Sequence, residues 1–252
     1  VHGAVIAHVG TNDTRVFRET AQLGRELESF GTRTLGTRNK SDVGIIFDWD
    51  NYWALEYTSG PTKDLKYVDQ IHHYYEYFYN KNISVDMIPV DGDFSKYKVI
   101  AAPVLYMVKE GIKEKLEQFV KNGGTLITTF MSGIVDQSDN VHLGGYPGPL
   151  REMAGVWVEE IDALAPEHSN TVSFSDGKEY KCNLLCDLMH PEGAEVLATY
   201  ESDFYAGMPA VTKNIYGKGH VYYVATQLEA AGLARVLDEA TNEVSVSGVI
   251  AE

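Results

Sequence analysis

Apolar runs and stretches of helical periodicity alternate along this chain. Val43 to Phe47, VGIIF, is apolar throughout, as expected of a strand covered on both faces. Leu65 to Asn82, LKYVDQIHHYYEYFYNKN, carries Val68, Ile71, Tyr75 and Phe78 on one stripe and predicts a helix. ISVDMIPV and KVIAAPV predict the next two strands, the second ended by Pro103. VKEGIKEKLEQFVKNGG puts Ile112, Leu116 and Phe119 inward and stops at Gly123-Gly124, which leads to a fourth strand, TLITTF. Strands alternating with helices through short turns predict a parallel α/β sheet of flavodoxin-like type. The working loops of such a sheet lie at the carboxyl ends of its strands. Phe47 to Trp53 is one such loop and Phe130 to Asp139 another.

The flanks read differently. VHGAVIAHVG predicts a short buried strand, and TNDTRVFRETAQLGRELESFG a helix capped by Thr11 or Asn12 and ended by Gly31. One β-α pair is no domain, so the chain reads as a piece of a longer protein. The polar stretch 32–41 is the linker candidate. After Gly155, NTVSFSDGKEYKC predicts a hairpin around Asp176-Gly177. EVLATY, PAVTKNIY and GHVYYVAT predict further strands that extend or flank the same sheet. Leu228 to Ala240 predicts a last helix, and EVSVSGVIAE the start of a new strand. The expected division is therefore 1–31, linker 32–41, a main domain 42–240 and a short beginning of another at 241–252.

Charge narrows the partners. The formal net charge is −15 over 252 residues, with the acids dispersed. A binder of nucleic-acid backbone needs a basic face, so nucleic acid is not an expected partner. No apolar run approaches the roughly 18 residues of a membrane span, so no membrane is expected either. The two cysteines, Cys182 and Cys186 in KCNLLCDLMHP, lie near His190 without a second ligand pair. Structural zinc needs a closed set of about four ligands. Two buried thiols on a short helical turn, in a cytoplasmic protein with no metal and no cofactor, is the expectation.

FDWDNYWALE, Phe47 to Glu56, concentrates the candidate chemistry. Asp48, Asp50 and Glu56 offer carboxylates, but glycoside hydrolysis needs two that flank the sugar. Acids on one βα loop more readily cap the next helix and pair with a nearby cation. An amidotransferase-like nucleophile would stand just after TLITTF, where the chain has Met131 and Ser132 and no convincing base. GGYPGPL follows no strand and lacks the Lys-Ser/Thr ending of a phosphate loop. The aromatics Trp49, Tyr52 and Trp53, with HHYYEYFYN further on, exceed what one helix can bury against one sheet. They point to a subunit interface, or to a sugar-stacking shelf.

Several of these segments occur together elsewhere. HGAVIAH followed by DTRVFRETAQLGREL resembles the end of the catalytic barrel of family 42 glycoside hydrolases, the β-galactosidases. FDWDNYWALE, YYEYFYNKNISVDMIPV, LITTFMSGIVDQSDNVHLGGYPGPLREMAGVWVEE and CDLMHPEGAEVLATYESDFYAGMPAVTKNIYGKGHVYYVAT resemble their second domain. The resemblance implies a class I glutamine-amidotransferase-like fold without the amidotransferase cysteine, and a role in forming a homotrimer. It implies that terminal β-D-galactosides are hydrolysed, with retention, in barrel segments outside this sequence, so that no catalytic residue lies here. His2 matches a histidine near the galactose subsite. Trp49, Tyr52 and Trp53 would contact a neighbouring subunit and wall its cleft. The alternatives are a stand-alone carbohydrate-binding module and an amidotransferase-like enzyme.

Overall fold

Chain packing divides between Lys40 and Ser41, inside the polar stretch. The computed structural model describes residues 5–248. His2 and the rest of 1–4 lie outside the described residues, as do 249–252.

The first unit is dominated by helix α1, Arg15–Thr34, capped by Thr14, whose hydroxyl accepts from Phe17 N at 3.2 Å. The expected caps, Thr11 and Asn12, lie in the irregular segment before it. The helix also runs through Gly31. A mid-helix glycine costs only about 1 kcal/mol, and the first positive φ after it comes at Gly36, 82°. The expected buried strand is not formed in the described residues 5–10, which are bends and turns with Ile6 and Val9 exposed. A strand needs a ladder partner, and no described strand pairs with this segment. No residue of α1 is buried, and Val16, Leu23, Leu27 and Phe30 leave its apolar face open.

The second unit holds the sheet. β1 (Val43–Ile46), β2 (Val85–Ile88), β3 (Val99–Ala102), β4 (Thr125–Thr129) and β10 (Gly219–Val224) are parallel, in the spatial order β2-β1-β3-β4-β10. Alternation along these strands feeds two cores. Val43, Ile45, Val99, Ala101, Ile127, Tyr222 and Val224 pack toward α3 (Tyr67–Asn80) and α6 (Ala230–Glu243). Ile46, Ile100, Ala102, Leu126, Val221 and Tyr223 pack toward α4 (Ile112–Lys121) and α5 (Arg151–Ala154). A strand with a core on each side must be apolar on both, which is why VGIIF shows no alternation.

Beyond β10 the same sheet turns antiparallel. It continues through β9 (Pro209–Tyr216), β8 (Glu195–Tyr200), β6 (Asn170–Phe174), β7 (Glu179–Pro191) and β11 (Thr226–Leu228), and β5 (Val156–Ala163) also pairs with β7. The β6–β7 hairpin turns at Asp176-Gly177, with Gly177 at φ 78°. Among the described residues this is a mixed α/β unit around an 11-stranded sheet with flanking helices.

Four expectations change. The aromatic segment after β1 is not a loop but a helix, α2 (Trp49–Tyr57), because Asp48 caps it and no Gly or Pro interrupts it. Helix α3 is rotated from its expected face: Tyr67, Gln70, Ile71, Tyr74, Tyr77 and Phe78 are buried, while Val68 and Tyr75 are exposed. Helix α6 packs alongside α3, so the buried face spans both the sheet and that neighbour. Cys182 and Cys186 lie on strand β7, not on a helical turn. Finally, α6 runs past Ala240 to Glu243, and 244–248 turn back, with Val246 N donating to Thr241 O at 3.0 Å, instead of starting a strand.

Candidate functional site

The carboxyl ends of β1 and β3 meet where the strand order reverses, since β1 has β2 on one side and β3 on the other. Open α/β sheets bind ligands in the crevice at such a point. Here it is filled. Asp48 leaves β1 extended and its carboxylate accepts from Asn51 N at 3.3 Å, starting α2. Asn51 is fully buried. Its Nδ2 donates to Val104 O at 2.9 Å and its Oδ1 accepts from Met107 N at 2.8 Å. Val104, just after Pro103, has φ 49°, a strained conformation for a β-branched residue. Its N–H donates to Thr129 Oγ1 at 2.7 Å. Asn51 thus satisfies two backbone groups of the strained turn and occupies the space a ligand would need.

The acids are engaged in the same way. Lys109 Nζ donates to Asp48 at 2.8 Å and to Asp50 at 2.6 Å. Partial burial works to lower the Lys109 pKa, but hydrogen bonds to the two carboxylates outweigh it and raise the value. Two carboxylates that converge on one ammonium from one helix start do not flank a sugar, and Glu56 is exposed on the same helix. Capping and ion pairing account for Asp48 and Asp50.

The nucleophile position after β4 is equally committed. Met131 has φ 54°. Ser132 is fully buried, and its Oγ accepts from Leu105 N and Thr128 Oγ1, both at 3.0 Å. No histidine or carboxylate is among its hydrogen-bond partners. Gly133, at φ 67°, lies against Pro147 O, where a Cβ would come within 1.9 Å. The elbow is packed shut.

What remains open is aromatic. Trp49 and Trp53 are 59% and 52% exposed, with ring centroids 6.0 Å apart. Tyr57, 90% exposed, continues the four-residue spacing along α2. Tyr52 is half-buried: it meets Trp49 edge-on at 6.0 Å and faces Phe47 at 6.5 Å and Tyr67 at 6.4 Å. The structure therefore brings Trp49 and Trp53 together, turns Tyr52 inward and adds Tyr57. The i, i+4, i+8 spacing was the signal for Tyr57, legible only once the segment is taken as a helix. On α3 the surplus is smaller than expected. Tyr77 donates to Asp238 of α6 at 2.7 Å, and only Tyr75 and Tyr79, 6.1 Å apart, stay outside.

Among the described residues no group of three or more His, Cys, Asp or Glu is placed to hold a metal ion. His190 stacks on Trp157 at 4.9 Å and its Nε2 lies 2.7 Å from Glu159, while the two thiols are buried in a core that does not include it.

Comparison with known proteins places these features. The family described as the beta-galactosidase trimerisation domain matches residues 41–247. The chain is 51% identical over 251 residues to beta-galactosidase LacZ of Lactobacillus acidophilus, covering 100% of the chain and 38% of that protein. It is 51% identical over 254 residues to beta-galactosidase BgaA of Planococcus sp., covering 99% and 38%. Among solved structures, the beta-galactosidase from Bacillus circulans sp. alkalophilus superposes with a TM-score of 0.90 at 48% identity, covering 99% of the chain and 38% of that protein. Gan42B, a GH42 beta-galactosidase, superposes with a TM-score of 0.87 at 38% identity, covering 99% and 36%. The chain thus spans well under half the length of the relatives it matches.

Proposed function

Because this chain belongs to the beta-galactosidase trimerisation-domain family of the family 42 glycoside hydrolases, we propose that its own work is assembly, as one third of a homotrimer. The observation that carries this is the division of labour at the carboxyl edge of the sheet. Asp48, Asp50, Asn51 and Ser132 are consumed by the fold, while Trp49, Trp53 and Tyr57 stand exposed beside them. Aromatic side chains of this kind supply the anchors of protein interfaces. The α2 ridge is the contact with a neighbouring subunit and the wall of that neighbour's substrate cleft; Tyr52 supports it from beneath.

The parallel half has the order β2-β1-β3-β4-β10. Counting β10 as the fifth parallel strand, this is the 2-1-3-4-5 order of flavodoxin-like sheets, which supports a flavodoxin-like, class I amidotransferase-like fold. Residues 1–31 are read as the last strand and helix of a (β/α)8 catalytic barrel, with His2 near its galactose subsite; the unburied apolar face of α1 supports this. Residues 32–41 are the linker, 42–240 the assembly domain, and 241–252 the start of a small β domain. The whole protein is read as a cytoplasmic enzyme that hydrolyses terminal β-D-galactosides with retention, using barrel glutamates, and this chain alone as inactive.

Light scattering coupled to size exclusion tests the assembly reading, with a trimer mass expected. A monomeric mass at high concentration and moderate salt overturns it. Turnover of a chromogenic galactoside by the chain, abolished in Asp48→Asn, overturns the inactive reading. The exposed Trp49–Trp53 pair also favours a second reading, a sugar-stacking shelf, and calorimetric titration with galactose and lactose separates the two: heat of binding to a monomer supports the shelf.

A further inference from the structure

Cys182 and Cys186 are the only cysteines in the chain, and both are buried in the core beneath α3 and α6. Residues four apart on an unbroken strand stand about 13 Å from one another. β7 is bulged between these two. Cys186 pairs with Thr226 and Cys182 with Leu228, so β11 covers in two steps what β7 covers in four, and Asn183 faces Gln227. Leu184, at φ 71°, and Leu185 are the inserted residues. The two cysteine Cα atoms are therefore separated by about two residues' rise along the partner strand, roughly 6.5–7 Å. That is at the upper edge of the span a disulfide bridges, about 4.4–6.8 Å. Both side chains enter the same core. The nearness of the two thiols raises the pKa of Cys182 and lowers that of Cys186, and Cys186 Sγ lies 3.6 Å from Thr226 Oγ1.

We propose that Cys182 and Cys186 form a two-electron redox pair, closing to an intramolecular disulfide across the β7 bulge when the protein meets a small-molecule disulfide. Cys186, as the thiolate, forms a bond to one sulfur of the oxidant and expels the other as a thiolate. Cys182 then loses its proton, attacks Cys186 Sγ and expels the second small thiolate. The two protein protons end on the two released thiols, and the two electrons have passed to the oxidant. Cys182 and Cys186 are 2% and 0% exposed, so the reaction passes through local opening of β11. This strand has three residues and ends the strand order of the sheet, so few ladder bonds part when it opens.

The test incubates the whole folded chain with oxidised glutathione, then denatures, alkylates and measures intact mass and peptides. The expected result is a fall from two alkylatable thiols per chain to none, a mass lower by two hydrogens, an internal disulfide in the peptide spanning 182–186, and full reversal by reductant. Cys182→Ser is expected to stop at a glutathione adduct on Cys186. Cys182→Ala serves where the serine variant does not fold. Two thiols still free after amide exchange has shown β11 to open, or only adducts or interchain dimers in the unaltered chain, overturns the proposal.

Discussion

At the scale of single residues, two buried polar side chains give separate predictions. Asn51 bonds Val104 O and Met107 N from a fully buried position. In Asn51→Ala the buried Met107 N–H loses its partner, at about 1–3 kcal/mol for an unsatisfied group, while Val104 O keeps the bond it accepts from Tyr106 N at 2.8 Å. The denaturation midpoint is expected to fall by an amount equivalent to about 1–3 kcal/mol. A change below 0.5 kcal/mol, roughly the size of an ordinary surface substitution, would remove Asn51 from its role. Asp187 is the second. It is buried, accepts from Tyr223 OH at 2.7 Å, and leaves Oδ1 unpartnered with no cation among its partners. Burial pushes its pKa up to about 8 from 3.8. Between those two values the folded state holds a proton that the unfolded state has lost, so stability falls as pH rises through this window and levels off above it. Asp187→Asn mimics the neutral acid and is expected to flatten that slope. At pH 8 it should raise stability by on the order of 1 kcal/mol or more, about 2–4 °C in Tm. Melting curves at several pH values check this, and an unchanged slope in the variant would refute it.

At the scale of elements, α2 and α3 carry opposite lessons. α3 holds most of its aromatic side chains against the sheet and α6, so its surface surplus is Tyr75 and Tyr79. α2 is amphipathic in an unusual sense: its inward side is Asn51 with Tyr52, and its outward side is the Trp49–Trp53–Tyr57 ridge. Exposed side chains contribute little to the fold of a single chain. Trp49→Ala with Trp53→Ala is therefore expected to leave the monomer's stability within about 0.5 kcal/mol. If the ridge anchors an interface, the same pair weakens self-association by about 2 kcal/mol or more, some 30-fold in the dissociation constant. Paired melting and sedimentation measurements separate the outcomes. A destabilised monomer with unchanged association would make the ridge part of the fold and not of an interface.

At the scale of the whole molecule, charge opposes assembly. Each chain carries −15, so bringing copies together raises their mutual repulsion, and salt screens it over about 10 Å at 0.1 M. The proposed trimer is expected to tighten as salt rises from low ionic strength and to dissociate toward monomer at low salt. A contact held by opposite charges would do the reverse. Light scattering at two salt concentrations decides between them, and dissociation on adding salt would move the interface from the aromatic ridge to charged groups.

The sequence by itself determined the alternation of strand and helix from Val43 to Thr129 and the two-sided burial of β1, because an apolar run on both faces has no other stable setting. It also determined the Asp176-Gly177 hairpin and the kinship carried by FDWDNYWALE and its companion segments. Tertiary structure decided what local pattern could not. Whether Trp49–Tyr57 is loop or helix rests on the Asp48 cap and the Asn51 bonds to Val104 and Met107, which join positions more than 50 residues apart in the chain. The rotation of α3 depends on α6, which arrives some 160 residues later. The strand at Cys182 and Cys186 depends on β5, β6 and β11 pairing on both edges of β7, a ladder no local periodicity reports. The acids of the aromatic segment looked like chemistry because sequence lists side chains without their partners. Lys109, brought to them by the turn after β3, turns Asp48 and Asp50 into structure and leaves the tryptophans as the exposed feature of the site.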